Sequence, residues 1–187
     1  MKSFEKYLKQ IKERKDLGLS PKPIDDANII NDIIYYIKGP DCHNRQLSIN
    51  FFIYNVLPGT TNAANVKANF LKEIILNKYV ISEISDDLAF ELLSHMKGGP
   101  SIKVLIDLAL GQNKVISKKA VNVLKTQVFL YEADMDRIKE SFNKGNKAAE
   151  EVLVSYSKAE FFTMLPQLNE EIEVVAFVAG EGDISTD

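Results

Sequence analysis

Residues 25–40 of this 187-residue chain read DDANIINDIIYYIKGP, and this stretch decides the fold. The aspartates at its start are good N-caps, since a short carboxylate accepts hydrogen bonds from the free amides of a helix's first turn. Isoleucines then recur at helical spacing and form one apolar stripe: Ile29, Ile30, Ile33, Ile34 and Ile37. Gly39-Pro40 ends the helix, because proline cannot continue it. The pattern predicts a short amphipathic helix that must bury one face against a neighbour.

The same combination of cap, stripe and Gly/Pro break recurs along most of the chain. The predicted helices cover about residues 3–16, 25–39, 44–55, 64–75, 86–97, 102–110, 117–128, 132–143 and 147–157. Short helices joined by tight turns are typical of an α–α stack, in which each helix pair packs on the next. No fixed-period repeat is visible, so we expect an all-α, irregular, HEAT-like α-superhelix of about nine helices.

The C-terminal end has a different pattern. Residues 171–178, EIEVVAFV, predict a β-strand, and the turn-like sequence AGEGD follows. A lone strand leaves its backbone groups without partners. We therefore expect residues 1–160 to form the helical domain and residues 161–187 to be a linker and the first strand of a following domain that is cut off.

Composition restricts the class of protein. Hydrophobic residues make up 45% and charged residues 26% of the chain, with a net charge of −3, which is the balance of a globular protein. No apolar run is long enough to span a bilayer, and the N-terminus lacks the pattern of a secretory signal. The single cysteine, Cys42, excludes an internal disulfide and suits a reducing, cytoplasmic location.

Positive charge is concentrated in two helices. The candidate contacts for an acidic partner or RNA are Lys6, Lys9 and Lys12 in the first helix and Lys114, Lys118 and Lys125 around the seventh. A solvated helix face is the alternative interpretation, since no aromatic residues are interleaved with the seventh-helix lysines. The C-terminal end is acidic, with no basic residue after Lys158.

No catalytic, cofactor-binding or metal-ligating site is predicted in this chain. Cys42 and His43 are adjacent, point in different directions, and have no second pair to complete a tetrahedral metal site. His95 is expected at a helix C-terminus. Gly98-Gly99 lacks the lysine and the preceding strand of a phosphate-binding loop, so we expect these glycines to make a sharp reversal with positive φ.

Several stretches together resemble the N-terminal domain of the aconitase B (aconitate hydratase B) family. They are VLPG at 56–59 with ANVKANFL at 64–71, ELLSHMKGG at 91–99 with the isoleucine and LIDL that follow, and GLSPKPI at 18–24. The passage from AEFF at 159–162 through residues 172–187 is similar to that family's entry into its swivel domain. The order and spacing agree over nearly the whole chain, although Pro100 and Lys103 depart from the family's pattern.

The resemblance implies a HEAT-like domain that precedes the catalytic domains of a tricarboxylic acid cycle enzyme. In that family the intact enzyme interconverts citrate and isocitrate through a [4Fe–4S] cluster, and often also hydrates 2-methylaconitate. The cluster cysteines and the substrate-binding residues would lie beyond Asp187, so none maps onto this chain. The partners implied are the protein's own catalytic domains, a second copy in a homodimer, and messenger RNA bound by the cluster-free form.

Two roles for the chain and one rival remain open at this level. The domain could be an interaction module for its own catalytic domains and for dimerisation, or it could help the cluster-free enzyme bind RNA. The rival is a free-standing helical-repeat adaptor whose C-terminal strand adds to another protein's sheet edge.

Overall fold

A computed structural model of the chain describes residues 2–39, 43–128 and 130–160. Within that part all regular structure is helical, which confirms the all-α fold. The helices are α1 Lys2–Asp16, α2 Ala27–Lys38, α3 Arg45–Tyr54, α4 Asn62–Ile75, α5 Asp86–His95, α6 Pro100–Ala109, α7 Lys114–Leu124, α8 Glu132–Asn143 and α9 Lys147–Ser157. The predicted C-terminal strand and the proposed domain boundary lie at or beyond residue 161, outside the described residues.

Side-chain caps fix where several helices begin. Asp26 accepts a hydrogen bond from the amide of Asn28 at 2.8 Å, as its place before the isoleucine stripe predicts. Thr61 caps α4 and Ser85 caps α5 in the same manner. Asn113 and Asn146 each accept from two amides, at the starts of α7 and α9. These caps satisfy amides that have no partner within their helix.

The helices pair into antiparallel hairpins that stack in two layers. The pairs are α2 with α3, α4 with α5, α6 with α7, and α8 with α9, and α1 packs on α2. Helices α2, α4, α6 and α8 contact one another in sequence and form one layer, while α5, α7 and α9 do the same in the other. One continuous core runs between the layers, with Ile33, Leu71 and Leu105 fully buried. This is the stack that the spacing of short stripes and turns predicts.

Aromatic packing and one carboxylate hold α1 on the stack. The ring of Phe4 lies 5.8 Å from that of Tyr36 and 5.9 Å from that of Phe51. The carboxylate of Asp32 on α2 accepts from the amides of Ser3 and Phe4 at 3.0 and 3.1 Å. Burial alone would raise the pKa of Asp32, but its hydrogen bonds outweigh burial and lower it. The first turn of α1 is therefore capped by a neighbouring helix.

The proline-rich connector after α1 is fixed by backbone pairing. Ile24 forms an isolated parallel bridge with Val56. The Ile24 amide donates to Asn55 at 2.7 Å, and the Leu57 amide donates to Ile24 at 2.9 Å. Tyr7 adds a bond from its hydroxyl to the carbonyl of Lys22 at 2.6 Å, and burial raises the pKa of Tyr7 to about 12. The connector and the loop before α4 thus hold each other in place.

The predicted bounds of the seventh helix are wrong. Helix α7 begins at Lys114, since Asn113 is a better cap than the residues before Ser117, and it ends at Leu124, which leaves Val128 outside the helix and 40% exposed. Helix α3 is largely apolar, yet its last residue, Tyr54, is 80% exposed. The number of apolar residues in α3 therefore overestimates how much of the helix is buried, because a tyrosine at a helix end can keep its ring in water.

A bidentate ion pair joins the first hairpin to the loop before α5. Arg45 donates through both terminal nitrogens to the carboxylate of Glu83, and its Nε donates to the carbonyl of Ile37 at 3.2 Å. The Ser82 hydroxyl also donates to Glu83 at 2.7 Å. The Arg45 and Ser82 hydrogen bonds lower the pKa of Glu83 to about 2.

The Glu83→Gln variant should lose about 1 kcal/mol of unfolding free energy at pH 7, the scale of a well-formed bidentate pair near the surface. The folded pKa of Glu83 lies below its ordinary value of 4.5, so the stabilisation is complete above pH 4.5 and is lost as pH falls toward 2. The difference between wild type and variant should therefore shrink across that window in urea titrations followed by circular dichroism. Glu140→Gln, at an exposed position on α8, is the control. A difference that stays constant down to pH 2 would contradict the assignment.

Candidate functional site

The described residues hold no group of three histidine, cysteine, aspartate or glutamate side chains that could bind a metal ion. Cys42 lies outside the described residues, and His43 is exposed. His95 is the last residue of α5, as predicted, and its Nε2 lies 3.9 Å from Glu91 one turn earlier. This geometry is that of a surface helix end.

The turn before α6, at Gly98-Gly99, lies against the turn before α4, at Gly59-Thr60. Gly98 and Gly99 have φ of +137° and +51°, which confirms the predicted reversal with positive φ. A Cβ on Gly99 would lie 3.0 Å from Thr60 Cγ2 and 3.4 Å from the carbonyl oxygen of Gly59. The double glycine therefore lets the start of α6 approach the start of α4, which is a packing role.

Lys67, the lysine of the ANVKANFL stretch, is buried. It is 5% exposed, and its Nζ donates to the carbonyl of Ile53 at 3.0 Å and lies 5.3 Å from the Phe52 ring centre. That carbonyl belongs to the last turn of α3, where helix carbonyls lack partners and carry partial negative charge. Burial lowers the pKa of Lys67 to about 8. The hydrogen bond from Lys67 therefore holds the end of α3 against α4.

Asp107, in the LIDL stretch, ties three helices of one layer together. Its carboxylate accepts from Lys72 of α4 at 2.6 Å and from Arg137 of α8 at 2.5 Å. Burial would raise the pKa of Asp107, but the hydrogen bonds from these two cations outweigh it and lower the pKa. This carboxylate has a structural role, because each of its two oxygens accepts a hydrogen bond from a side chain of another helix.

The basic residues of α1 line a surface groove. Lys6 and Lys9 border a depression of about 540 Å³ between α1 and the start of α2, together with the acidic Glu13 and Asp26. Lys12 is exposed further along α1. Two of the three α1 candidates thus share a groove, and their role as partner contacts stays a prediction.

The seventh-helix candidates separate into two groups. Lys114 and Lys118 are exposed and line a groove of about 610 Å³ between α7 and the start of α9. The side chain of Lys125 is only 15% exposed and forms an ion pair with Glu151 of α9. Lys119, on the same helix, pairs with Asp87 at 2.6 Å. Lys125 therefore cross-links α7 to α9, while Lys114 and Lys118 face the groove.

Sequence reasoning missed the structural roles of Lys67 and Asp107. A signal for Lys67 was present: it stands three residues after Ala64 and four before Leu71, and so falls on the buried face of α4. The partners of Asp107 lie 35 and 30 residues away in the chain, and no local pattern indicates them. No helix in the described part of the chain is long and apolar enough to cross a membrane.

Comparison with known proteins gives one consistent family. The family model described as the aconitate B N-terminal domain matches residues 6–162. Aconitate hydratase B of Helicobacter pylori strain J99 is 35% identical over the whole chain. The proteins of that name from Escherichia coli K12 and Pseudomonas aeruginosa are 33% and 30% identical over 95% and 98% of the chain. The chain spans about a fifth of the length of these relatives, 20–22%.

The lowered pKa of the buried Lys67 should be visible in the pH dependence of the protein's stability. Its folded pKa of about 8 lies below the ordinary 10.5, so between these values the unfolded chain binds more protons, and stability rises with pH. Relative to Lys67→Met, the wild type should gain roughly 2–3 kcal/mol of unfolding free energy from pH 8 to pH 10.5. Urea unfolding of both proteins across this range provides the measurement.

The matched control is Lys139→Met, since Lys139 is 59% exposed. The difference in unfolding free energy between the wild type and Lys139→Met should stay constant from pH 8 to pH 10.5. Parallel curves for wild type and Lys67→Met would show that Lys67 keeps an ordinary pKa and is not desolvated.

Proposed function

The chain belongs to the aconitase B N-terminal domain family, and on that premise we propose that it is the non-catalytic helical domain of an aconitate hydratase. The observation that carries the proposal is the extent of the match, which covers nearly the whole chain but only about a fifth of each relative. The activity of the whole protein is then the interconversion of citrate and isocitrate, in the cytoplasm, by domains outside this chain.

The residues of this chain do not fit an iron–sulfur cluster. Such clusters are held by several cysteine thiolates, and the chain contains one cysteine, Cys42. In the proposed enzyme the [4Fe–4S] cluster and the substrate contacts therefore belong to other domains. We assign no catalytic, cofactor or metal residue to this chain.

The domain's proposed role is that of an interaction module. Each hairpin is tied to another by side chains as well as by the core: Asp107 links α4, α6 and α8, and the Lys125–Glu151 pair links α7 to α9. A stack cross-linked in this way is a stiff scaffold with extended outer faces, which suits binding of its own catalytic domains and of a second copy in a homodimer.

The assay that tests this proposal compares two proteins under anaerobic reconstitution with iron and sulfide. The 187-residue chain should show no citrate–isocitrate interconversion, whereas the full-length product of the native gene should show it together with the absorbance of a bound cluster. Activity of the 187-residue chain alone would overturn the non-catalytic assignment. A full-length product without cluster or activity would favour the free-standing adaptor.

A second candidate function is RNA binding through α1. Lys6, Lys9 and Lys12 are exposed along one helix, and two of them border a groove. Phosphate contacts by lysines on such a face would be sequence-independent and would release counterions. The net charge of −3 requires that any such contact be local to this helix.

Fluorescence anisotropy with a labelled single-stranded RNA tests the α1 candidate. The triple variant Lys6→Glu, Lys9→Glu, Lys12→Glu should lose at least about tenfold in affinity, and the wild-type affinity should fall steeply with salt, because counterion release drives phosphate binding. The control is the double variant Lys139→Glu, Lys144→Glu, at exposed positions on and after α8. An affinity independent of salt, or an equal loss in the control, would exclude α1 as the contact.

A further inference from the structure

The last hairpin of the stack, α8–α9, has a thinner apolar core than the three hairpins before it. Its buried apolar side chains are Ile138, Ala149 and Val152. Helix α6 alone buries six apolar side chains: Ile102, Val104, Leu105, Ile106, Leu108 and Ala109. Because short helices depend on apolar burial for their stability, the core holds α8–α9 less firmly than it holds the other hairpins.

Buried polar atoms without a partner are concentrated at the same hairpin. The Asp134 Oδ2 atom of α8 and the Ser155 hydroxyl of α9 are buried and have no hydrogen-bond partner among the described residues. The same is true of Oε1 of Gln127, whose backbone carbonyl accepts from the Tyr156 hydroxyl of α9. In the described part of the chain, one further atom of this kind lies elsewhere, Oγ of Ser48. Since water can solvate the first three atoms once the hairpin separates from the stack, they favour opening.

Two ion pairs join the hairpin to the rest of the stack. Arg137 of α8 donates to Asp107 of α6 at 2.5 Å, and Lys125, directly after α7, pairs with Glu151 of α9. The Arg137 and Glu151 side chains are 44% and 51% exposed, so water and salt weaken both pairs. The packing of α8–α9 therefore depends on contacts for which solvent competes.

Position at an end of the stack does not by itself explain this difference. Helix α1, at the opposite end, buries the aromatic rings of Phe4 and Tyr7, and both rings contact Phe51 of α3. In α8–α9 the phenylalanine, Phe142, is 44% exposed. One end of the stack is therefore fixed by aromatic packing, whereas the other is fixed largely by polar contacts.

We propose that α8–α9 opens from the stack as one unit while α1–α7 stay folded, and that the Arg137–Asp107 and Lys125–Glu151 pairs form a latch that keeps it closed. Proteins commonly open in cooperative units that coincide with supersecondary motifs, and the least buried units open first. The residues after α9 are joined directly to this hairpin, so its opening would change their position relative to α1–α7. The opening depends on contacts among the described helices and not on the proposed enzyme activity.

Native-state hydrogen exchange of the 187-residue chain in low concentrations of urea, read by mass spectrometry of peptides, tests the opening. The amides of α8 and α9 should exchange through one shared opening that urea promotes and that requires less free energy than global unfolding. Their protection factors should be at least about tenfold lower than those of α6. Fraying of single helix ends would give neither a shared opening nor a dependence on urea.

The double variant Arg137→Gln, Glu151→Gln removes both latch pairs from the hairpin side. Protection of α8 and α9 should fall by at least about fivefold, while protection of α2–α6 stays unchanged. The matched control is Lys119→Gln, which removes the ion pair between α7 and Asp87 of α5 and should leave the protection of α8–α9 unchanged.

The Ser155→Ala variant keeps both pairs and tests the opening independently of the latch. It removes a buried hydroxyl without a partner, so the protection of α8–α9 should rise by about threefold. Exchange of α8–α9 only through global unfolding, unequal opening free energies for α8 and α9, or lower protection in Ser155→Ala would overturn the opening. Unchanged protection in the double variant, or an equal loss in the control, would overturn the latch.

Discussion

Helices of 10 to 15 residues, such as all nine in the described part of the chain, are marginal in water when isolated. Their stability must come from burying one apolar stripe each. The chain meets this constraint by pairing consecutive helices and stacking alternate ones, so that α4 contacts α2, α5 and α6 at once. Removing a helix from the middle of the stack would expose its neighbours, because the buried residues form one continuous core rather than separate cores for each hairpin.

The polar groups inside this core follow from the same constraint. Stacked short helices bring many helix ends into the interior, and each end leaves carbonyls or amides without partners. Lys67 satisfies a carbonyl at the end of α3, and Asp32 caps two amides of α1 from the neighbouring helix. Lys67 has a desolvation cost, seen in its lowered pKa, but an unpaired buried carbonyl would also be costly. These residues therefore act as caps supplied by one helix to another.

The sequence predicted the helices well because their signals are local. The Asp26 cap, the isoleucine stripe of α2 and the positive φ of Gly98 and Gly99 each depend on residues a few positions apart. The prediction failed where distant residues decide the outcome. Asp107 gains its role from Lys72 and Arg137, which the stacking of three helices brings together. Likewise, the sequence groups Lys118 with Lys125 as candidate contacts around the seventh helix, but Lys125 forms an ion pair with Glu151 of α9, whereas Lys118 lies at the groove.

The lysines between helices differ in their partners from the lysines at the surface groove. Three lysines that face another helix of the stack are paired with a carboxylate, namely Lys72, Lys119 and Lys125, whereas Lys67 donates to a helix carbonyl. The lysine side chains of the Lys72 and Lys125 pairs are 29% and 15% exposed, so these pairs keep more of their attraction than the exposed Lys119–Asp87 pair and contribute more to the contact between helices. Lys114 is the first residue of α7 and Lys118 lies one turn later, and both face the groove without a carboxylate partner among the described residues. The described carboxylates that pair across the stack therefore stabilise contacts between helices, while the two groove lysines remain exposed to solvent.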